Sequence, residues 1–252
     1  MRIAALALAA LVAAFVAPLS GAAAQAGKRL TVVELYTAQG CNSCVAAEAL
    51  IDTLSRRPDI LPLGFHVDYW DFLGWRDPFA SPEHAMRQEV YARQAGVSYV
   101  FTPHVIVDGV RQASTLDPAS IEALLAEAAA DVGTPAPTVR VFLPDSQHLG
   151  VSIGAADWSG EADVLLVRFD RERTTEIRGG VNAGRTMISR NIVRRVVPLA
   201  TWSGAAVELR LPMLPLHDIT YEFCAVIVQE RKQGRILAAG MLDLPAALAA
   251  LK

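Results

Sequence analysis

The sequence predicts an α/β protein, with a βαβαββα domain followed by a smaller antiparallel β-sandwich-like domain. Three observations carry this reading. Strand-like runs alternate with helix-period segments from residue 28 to about residue 131. An Asp108-Gly109 pair separates two short strand-like runs, the signature of a hairpin. After Gly133-Thr134-Pro135-Ala136-Pro137 the texture changes to short alternating apolar runs divided by turn residues.

Taken in order, LTVVELY (30–36) is a β-rich run. Asn42 to Leu54 carries apolar residues at Val45, Ala49, Leu50 and Leu54, which is helical spacing. LPLGFHVDYW (61–70) reads as a second strand. Ser81-Pro82 places an N-cap before a proline at the first helical position and opens PEHAMRQEVYARQA. HVIVDGVRQAS then gives two strands around the Asp-Gly turn. Asp117-Pro118 repeats the helix-start signal, with Ile121, Leu124, Leu125 and Ala128 as the apolar face. Strands separated by helices imply parallel pairing through right-handed crossovers. Domain limits of 27–133 and 134–252 follow. In the second, VRVFL, GVSIG, ADVLLVRFD, NIVRRVVPL, AAVELRLP and YEFCAVIVQE suggest the sandwich.

The chain has 252 residues, 52% of them hydrophobic, enough for a sizeable core. A net charge of −3 gives no global pull toward nucleic acid or acidic membranes. Residues 1–26 read as a signal peptide: Arg2, an apolar stretch from Ile3 to Pro18, and small residues fitting cleavage after Ala24 or Ala26. That stretch is shorter than the about 20 residues a membrane span needs, which favours a signal peptide over the alternative of an uncleaved N-terminal anchor. A periplasmic or secreted location is therefore expected, where disulfides persist.

Cys41 and Cys44 lie between the first strand and the first helix. A C-x-x-C pair can be a redox couple, half of a metal site, or a structural disulfide. The strand-to-helix setting favours the first, since unpaired N–H groups and the positive end of the helix dipole stabilise thiolate. Cys41 is then the attacking thiol and Cys44 the resolving one. Thr102-Pro103 precedes the apolar run VIV. In this pairing the chain resembles thioredoxin-fold proteins, which set a cis-proline loop beside the cysteines. The resemblance makes Thr102 and Pro103 a substrate-docking edge.

Three further stretches, ELYTAQGCNSC, HVDYWDFLGWRDPF and YVFTPHVIVDG, are similar to the secreted bacterial thioredoxin-like family catalogued as domain of unknown function 1223. The resemblance covers about residues 30–130, and more weakly GVNAGR, NIVRR and TWSGAAVEL. It implies a fold and a compartment but no substrate.

Other residues join the candidate site. Asp68, Tyr69 and Trp70 end the second strand, where ligands gather in parallel sheets. Tyr69 and Trp70 are expected at the substrate cleft. His66 and Asp68 are candidate supporting residues, either for proton transfer to Cys44 or as a structural pair holding the Trp70–Trp75 loop. Glu34, seven residues before Cys41 in an apolar strand, is a candidate base if buried, or else a fold-stabilising hydrogen-bond partner. Tyr69, Trp70, Phe72, Trp75 and Phe79 read as a packed insertion, part of it lining the cleft. Cys224 reads as a buried hydrophobe. The eight arginines from Arg168 to Arg195 read as a solvated sheet face, or else as an anion or protein docking surface.

The leading expectation is a periplasmic or secreted thiol–disulfide oxidoreductase. It needs no cofactor, and its partners are protein or small-molecule thiols and disulfides rather than nucleic acid or a membrane. Two other classes stay open. Cys41, Cys44 and His66 could hold Cu(I) or Zn(II), or the disulfide could be a staple in a non-catalytic binding module.

Overall fold

The computed structural model describes residues 29–114, 116–131, 136–213 and 222–252. The expected signal peptide lies outside them. The first half follows the predicted order: β1 (Thr31–Thr37), α1 (Cys44–Ser55), β2 (Ile60–His66), α2 (Pro82–Gln94), β3 (His104–Val107), β4 (Arg111–Ala113) and α3 (Pro118–Ala129). A single 3₁₀ turn, Asp71–Leu73, interrupts the β2–α2 connection. The Ser81 and Asp117 side chains cap α2 and α3, accepting from Glu83 N and Ser120 N, with proline at the first helical position of each. The Asp108-Gly109 turn has positive φ at both residues, as the predicted hairpin requires.

Two sequence-based expectations are corrected here. Strand β2 stops at His66 rather than Trp70, because Asp71 N bonds back to Asp68 O and Leu73 N to Trp70 O. On α1 the buried residues are Cys44, Ala47, Glu48, Ile51 and Leu54, not the stripe through Val45 and Ala49. A helix this rich in alanine and aliphatics has no polar face strong enough to fix its rotation from sequence.

The second half contributes β5 (Val139–Asp145), β6 (His148–Ile153), β7 (Ala162–Glu176), β8 (Thr186–Trp202), β9 (Val207–Pro212), β10 (Phe223–Glu230), β11 (Ile236–Asp243) and α4 (Leu244–Ala250). It is not a separate sandwich. Strands β7, β8, β10 and β11 extend the first-half strands into one eight-stranded sheet of order β11-β10-β7-β8-β2-β1-β3-β4. Among the described residues β5-β6-β9 forms a second sheet, packed through Val141, Leu149, Val151 and Ile153 against Val164, Leu166 and Val226. The seam is the parallel approach of β8 to β2 at Gly64 and Ile192, where a Cβ on Gly64 would stand 3.2 Å from Arg190 O. Asn191 Nδ2 closes the seam by donating to Pro62 O at 2.8 Å. No closed barrel results.

All seven residues of β1 are buried. Val33 and Leu35 pack with α1 and α3 through Ile51, Leu54 and Ile121, while Val32 and Tyr36 join Leu63, Phe65 and Tyr91. Glu34 lies among the latter. Arg87 of α2 donates to its Oε1 at 2.6 Å and Oε2 at 3.2 Å, Tyr36 Oη donates to Oε2 at 2.8 Å, and Arg87 also reaches Gln229 Oε1 of β10. One buried ion pair thus joins β1, α2 and β10. Burial opposes the charge on Arg87, but Glu34 and the neighbouring tyrosines hold its pKa well above the usual guanidinium value.

Removing one partner of such a pair strands the other charge. Arg87→Met should cost about 3–5 kcal/mol in urea unfolding, and Arg87→Met with Glu34→Gln should cost less than the single change. A double variant less stable than Arg87→Met would show that the pair is not the stabilising unit.

Candidate functional site

Cys41 and Cys44 are joined in a disulfide, with Cα atoms 5.3 Å apart. Only Cys44 belongs to α1, as its first residue, and Ser43 is the N-cap. Cys41, expected to open the helix, sits in the preceding turn, where its N–H donates to Ala38 O at 3.1 Å. The bond therefore ties the first helical turn to the turn that leads into it. Both sulfurs are enclosed, with Cys41 1% exposed and Cys44 fully buried.

Thr102 and Pro103 lie beside Cys41, with the Thr102 carbonyl 3.8 Å from Cys41 Sγ and the Thr102-Pro103 bond cis. Trp70 Nε1 donates to Thr102 Oγ1 at 2.7 Å and holds that loop. Tyr69 donates to Gln88 Oε1 at 3.0 Å, and Gln88 Nε2 donates to Phe101 O at 2.7 Å. Burial raises the Tyr69 phenol far above its ordinary value, so it stays a donor. The sequence-predicted residues Cys41, Cys44, Tyr69, Trp70, Thr102 and Pro103 thus come together in one place.

Three others do not join them as expected. Glu34 is committed to Arg87, Tyr36 and Tyr91, and neither cysteine is among its partners. On β1 it also points to the side opposite Thr37, which faces α1. Asp68 makes no side-chain hydrogen bond among the described residues and does not meet His66. The partner of His66 is Asp77, whose Oδ2 lies 2.7 Å from His66 Nδ1.

Asp77 is a hub that the sequence reading missed. Its carboxylate also accepts from Gln39 N at 2.8 Å and Phe79 N at 2.9 Å, fixing the turn that delivers Cys41. Burial acts against its charge, but His66 and these N–H donors overcome it and hold the carboxyl below its ordinary value. Burial likewise opposes charge on His66, yet Asp77, with Glu48 behind it, raises the imidazole above its ordinary value. Glu48, one turn after Cys44 on α1, is buried and 4.0 Å from His66 Nε2. Burial raises its carboxyl, while His66 and a hydrogen bond from Thr37 oppose that rise. The buried acid on the cysteine-bearing helix is therefore Glu48, not Glu34.

Asn182 was also missed. It sits at the tip of the β7–β8 ribbon, buried, and its Nδ2 donates to Gln39 O at 2.8 Å and Cys41 O at 3.1 Å. The tip lies on the 3₁₀ turn so closely that a Cβ on Gly179 would stand 2.3 Å from Gly74 O. An asparagine in a glycine-rich run, GGVNAG, was the available signal. Cys224 is buried in β10, unpaired, and burial pushes its thiol up to about 12. Among the described residues no group of three or more His, Cys, Asp or Glu side chains is placed to hold a metal ion.

Two outcomes follow. His66 binds its proton more tightly when folded, so its contribution is complete below its unfolded value of 6.5 and is lost as pH rises through the higher folded value. Urea unfolding between about pH 6 and 9 should show stability falling with pH, and His66→Gln should flatten that fall. Parallel curves would remove His66 as its source. Asn182→Ala deletes two buried hydrogen bonds and should speed reduction of the disulfide by a phosphine several-fold; an unchanged rate would mean the tip does not guard it.

A family model described as "Protein of unknown function (DUF1223)" matches residues 32–229. A crystal structure of an Agrobacterium tumefaciens protein, a structural-genomics target, is similar at 30% identity and a TM-score of 0.72. The similarity covers 84% of this chain and 93% of that one. No curated protein matches.

Proposed function

Since the chain belongs to this DUF1223 family, itself described as of unknown function, we propose that it is a thiol–disulfide oxidoreductase built on a thioredoxin-like unit and working in the periplasm or outside the cell. The observation that carries this is the Cys41–Cys44 disulfide at the start of α1, with the Thr102 carbonyl 3.8 Å from Cys41 Sγ. The local sheet order β2-β1-β3-β4, with β1 parallel to β2 and antiparallel to β3, supports the thioredoxin-like reading. The leader at residues 1–26 supports the compartment.

In this reading a partner thiolate attacks Cys41 Sγ. The Cys41–Cys44 bond breaks, and Cys44 leaves as thiolate. A second partner thiolate then attacks the partner's sulfur in the mixed disulfide and releases Cys41. The partner loses two electrons and becomes a disulfide, while Cys41 and Cys44 become thiols. Run in reverse, the same steps reduce a partner disulfide. The partner's chain lies along Thr102 and Pro103, with Trp70 bracing that loop. Glu48, one helical turn after Cys44 on α1 and 4.0 Å from His66 Nε2, is the candidate group to accept or return the Cys44 proton.

One observation favours a second reading, a structural staple: Cys41 is 1% exposed, so a partner must first displace the ribbon tip.

A single assay separates the two. Oxidation of a reduced dithiol peptide by the intact chain should exceed that by Cys41→Ser by about a hundredfold, and reduced Cys44→Ser offered the same peptide in its disulfide form should accumulate a mixed disulfide through Cys41, visible by mass spectrometry. Equal rates in the parent and Cys41→Ser would leave the staple as the role of the bond.

A further inference from the structure

Away from the disulfide, a cleft of about 840 Å³ opens between α2, β7, β8 and the turn joining β10 to β11. That volume lies within the range of small-molecule sites, about 300–1,000 Å³. None of Cys41, Cys44, Thr102 or Trp70 lines it.

Its cationic side comes from a defect in strand pairing. Arg168 of β7 pairs with Arg195, but the next residue, Phe169, pairs with Val193, so Arg194 is an extra residue bulged out of the ladder. A bulge re-aims side chains, and here Arg194 and Arg195, adjacent in a strand, both line the same cleft together with Lys232. No salt bridge holds any of the three among the described residues. Two carboxylates also line the cleft, Glu83, which accepts from Ser81 Oγ and feels the charge of Arg195, and Asp163, 3.6 Å from Arg231, so the three cations outnumber them. Arg194 keeps its guanidinium 5.2 Å over the Phe79 ring.

The apolar part of the lining comes from Met86 and Val90 of α2 with Leu165 and Val196 of the sheet. Met86 is 55% exposed and so presents apolar surface at the cleft. At the base, His84 is 3% exposed and lines the cleft. Its Nδ1 bonds to His66 O at 2.8 Å, and burial pushes its pKa down to about 4, so at neutral pH Nδ1–H is the donor. Its Nε2 keeps a free lone pair, with no hydrogen-bond partner among the described residues.

We propose that this cleft binds a small amphipathic organic acid, its head held by Arg194, Arg195 and Lys232 and its apolar body lying between Met86, Val90, Leu165 and Val196. His84 Nε2 accepts from a hydroxyl or N–H on that body. The arginine-rich stretch thus serves as an anion site rather than only a solvated face. This inference stands independently of the thiol chemistry.

The test is a fluorescence titration of the intact, oxidised chain with 8-anilinonaphthalene-1-sulfonate, an apolar anion. Saturable one-to-one binding is expected. It should weaken about tenfold or more in Arg194→Gln with Arg195→Gln. Met86→Glu, at an exposed position that the fold does not need, should weaken it similarly by placing a like charge in the cleft. The thermal midpoints of the variants serve as the folding control. Monomeric dodecanoate should displace the probe, whereas inorganic phosphate and anionic phosphatidylglycerol vesicles should not. No binding, binding unchanged in both variants, or displacement by phosphate or vesicles but not by dodecanoate would overturn the proposal.

Discussion

A carboxylate with no exposure at all, Glu34 in the middle of β1, constrains much of what surrounds it. A buried charge is tolerated only when paired and hydrogen-bonded. Arg87 meets that demand from α2, and so α2 is fixed in rotation and height against the sheet. The next residue on that helix, Gln88, is then placed to hold Phe101 O and approach His104 Nδ1, and with them the segment that sets Thr102 beside Cys41. The same guanidinium reaches Gln229, so the far half of the sheet is registered against the near half by the same charge.

Around the disulfide the logic is similar but the hub is Asp77. It fixes the turn before Cys41 by accepting from Gln39 N, and it fixes the loop after β2 by accepting from Phe79 N. His66 joins the two at the end of β2. Asp77 therefore organises backbone, whereas Glu48 stands on the helix that carries Cys44. These two acids are separated in sequence by 29 residues and meet across the imidazole between them.

Much of this was legible before any coordinates. The β-α-β-α-β-β-α order followed from period and turn chemistry, and Ser81, Asp117 and Asp108-Gly109 behave as their residue types require. The meeting of Cys41 with Thr102-Pro103 could be anticipated only through family resemblance, since 61 residues separate Cys41 from Thr102. What escaped were features set by pairings across the chain. Glu34 drew attention as a polar residue in an apolar strand, but its partner on α2 decided its role. Asp77 lies in a loop without periodicity. The arginine-rich run gave no hint that Arg194 is bulged, because a register shift is a property of two strands and not of one.

The β7–β8 ribbon has one more consequence. Its middle supplies the sheet neighbour of β2 at Gly64, and its tip covers the turn holding Cys41. A chain ending at Asp131 would keep the whole βαβαββα order yet leave β2 as an open edge of buried apolar residues, a template for association with other chains. The cysteine-bearing half is thus not a portable module: the strand that covers its β2 edge is supplied by the second half of the chain.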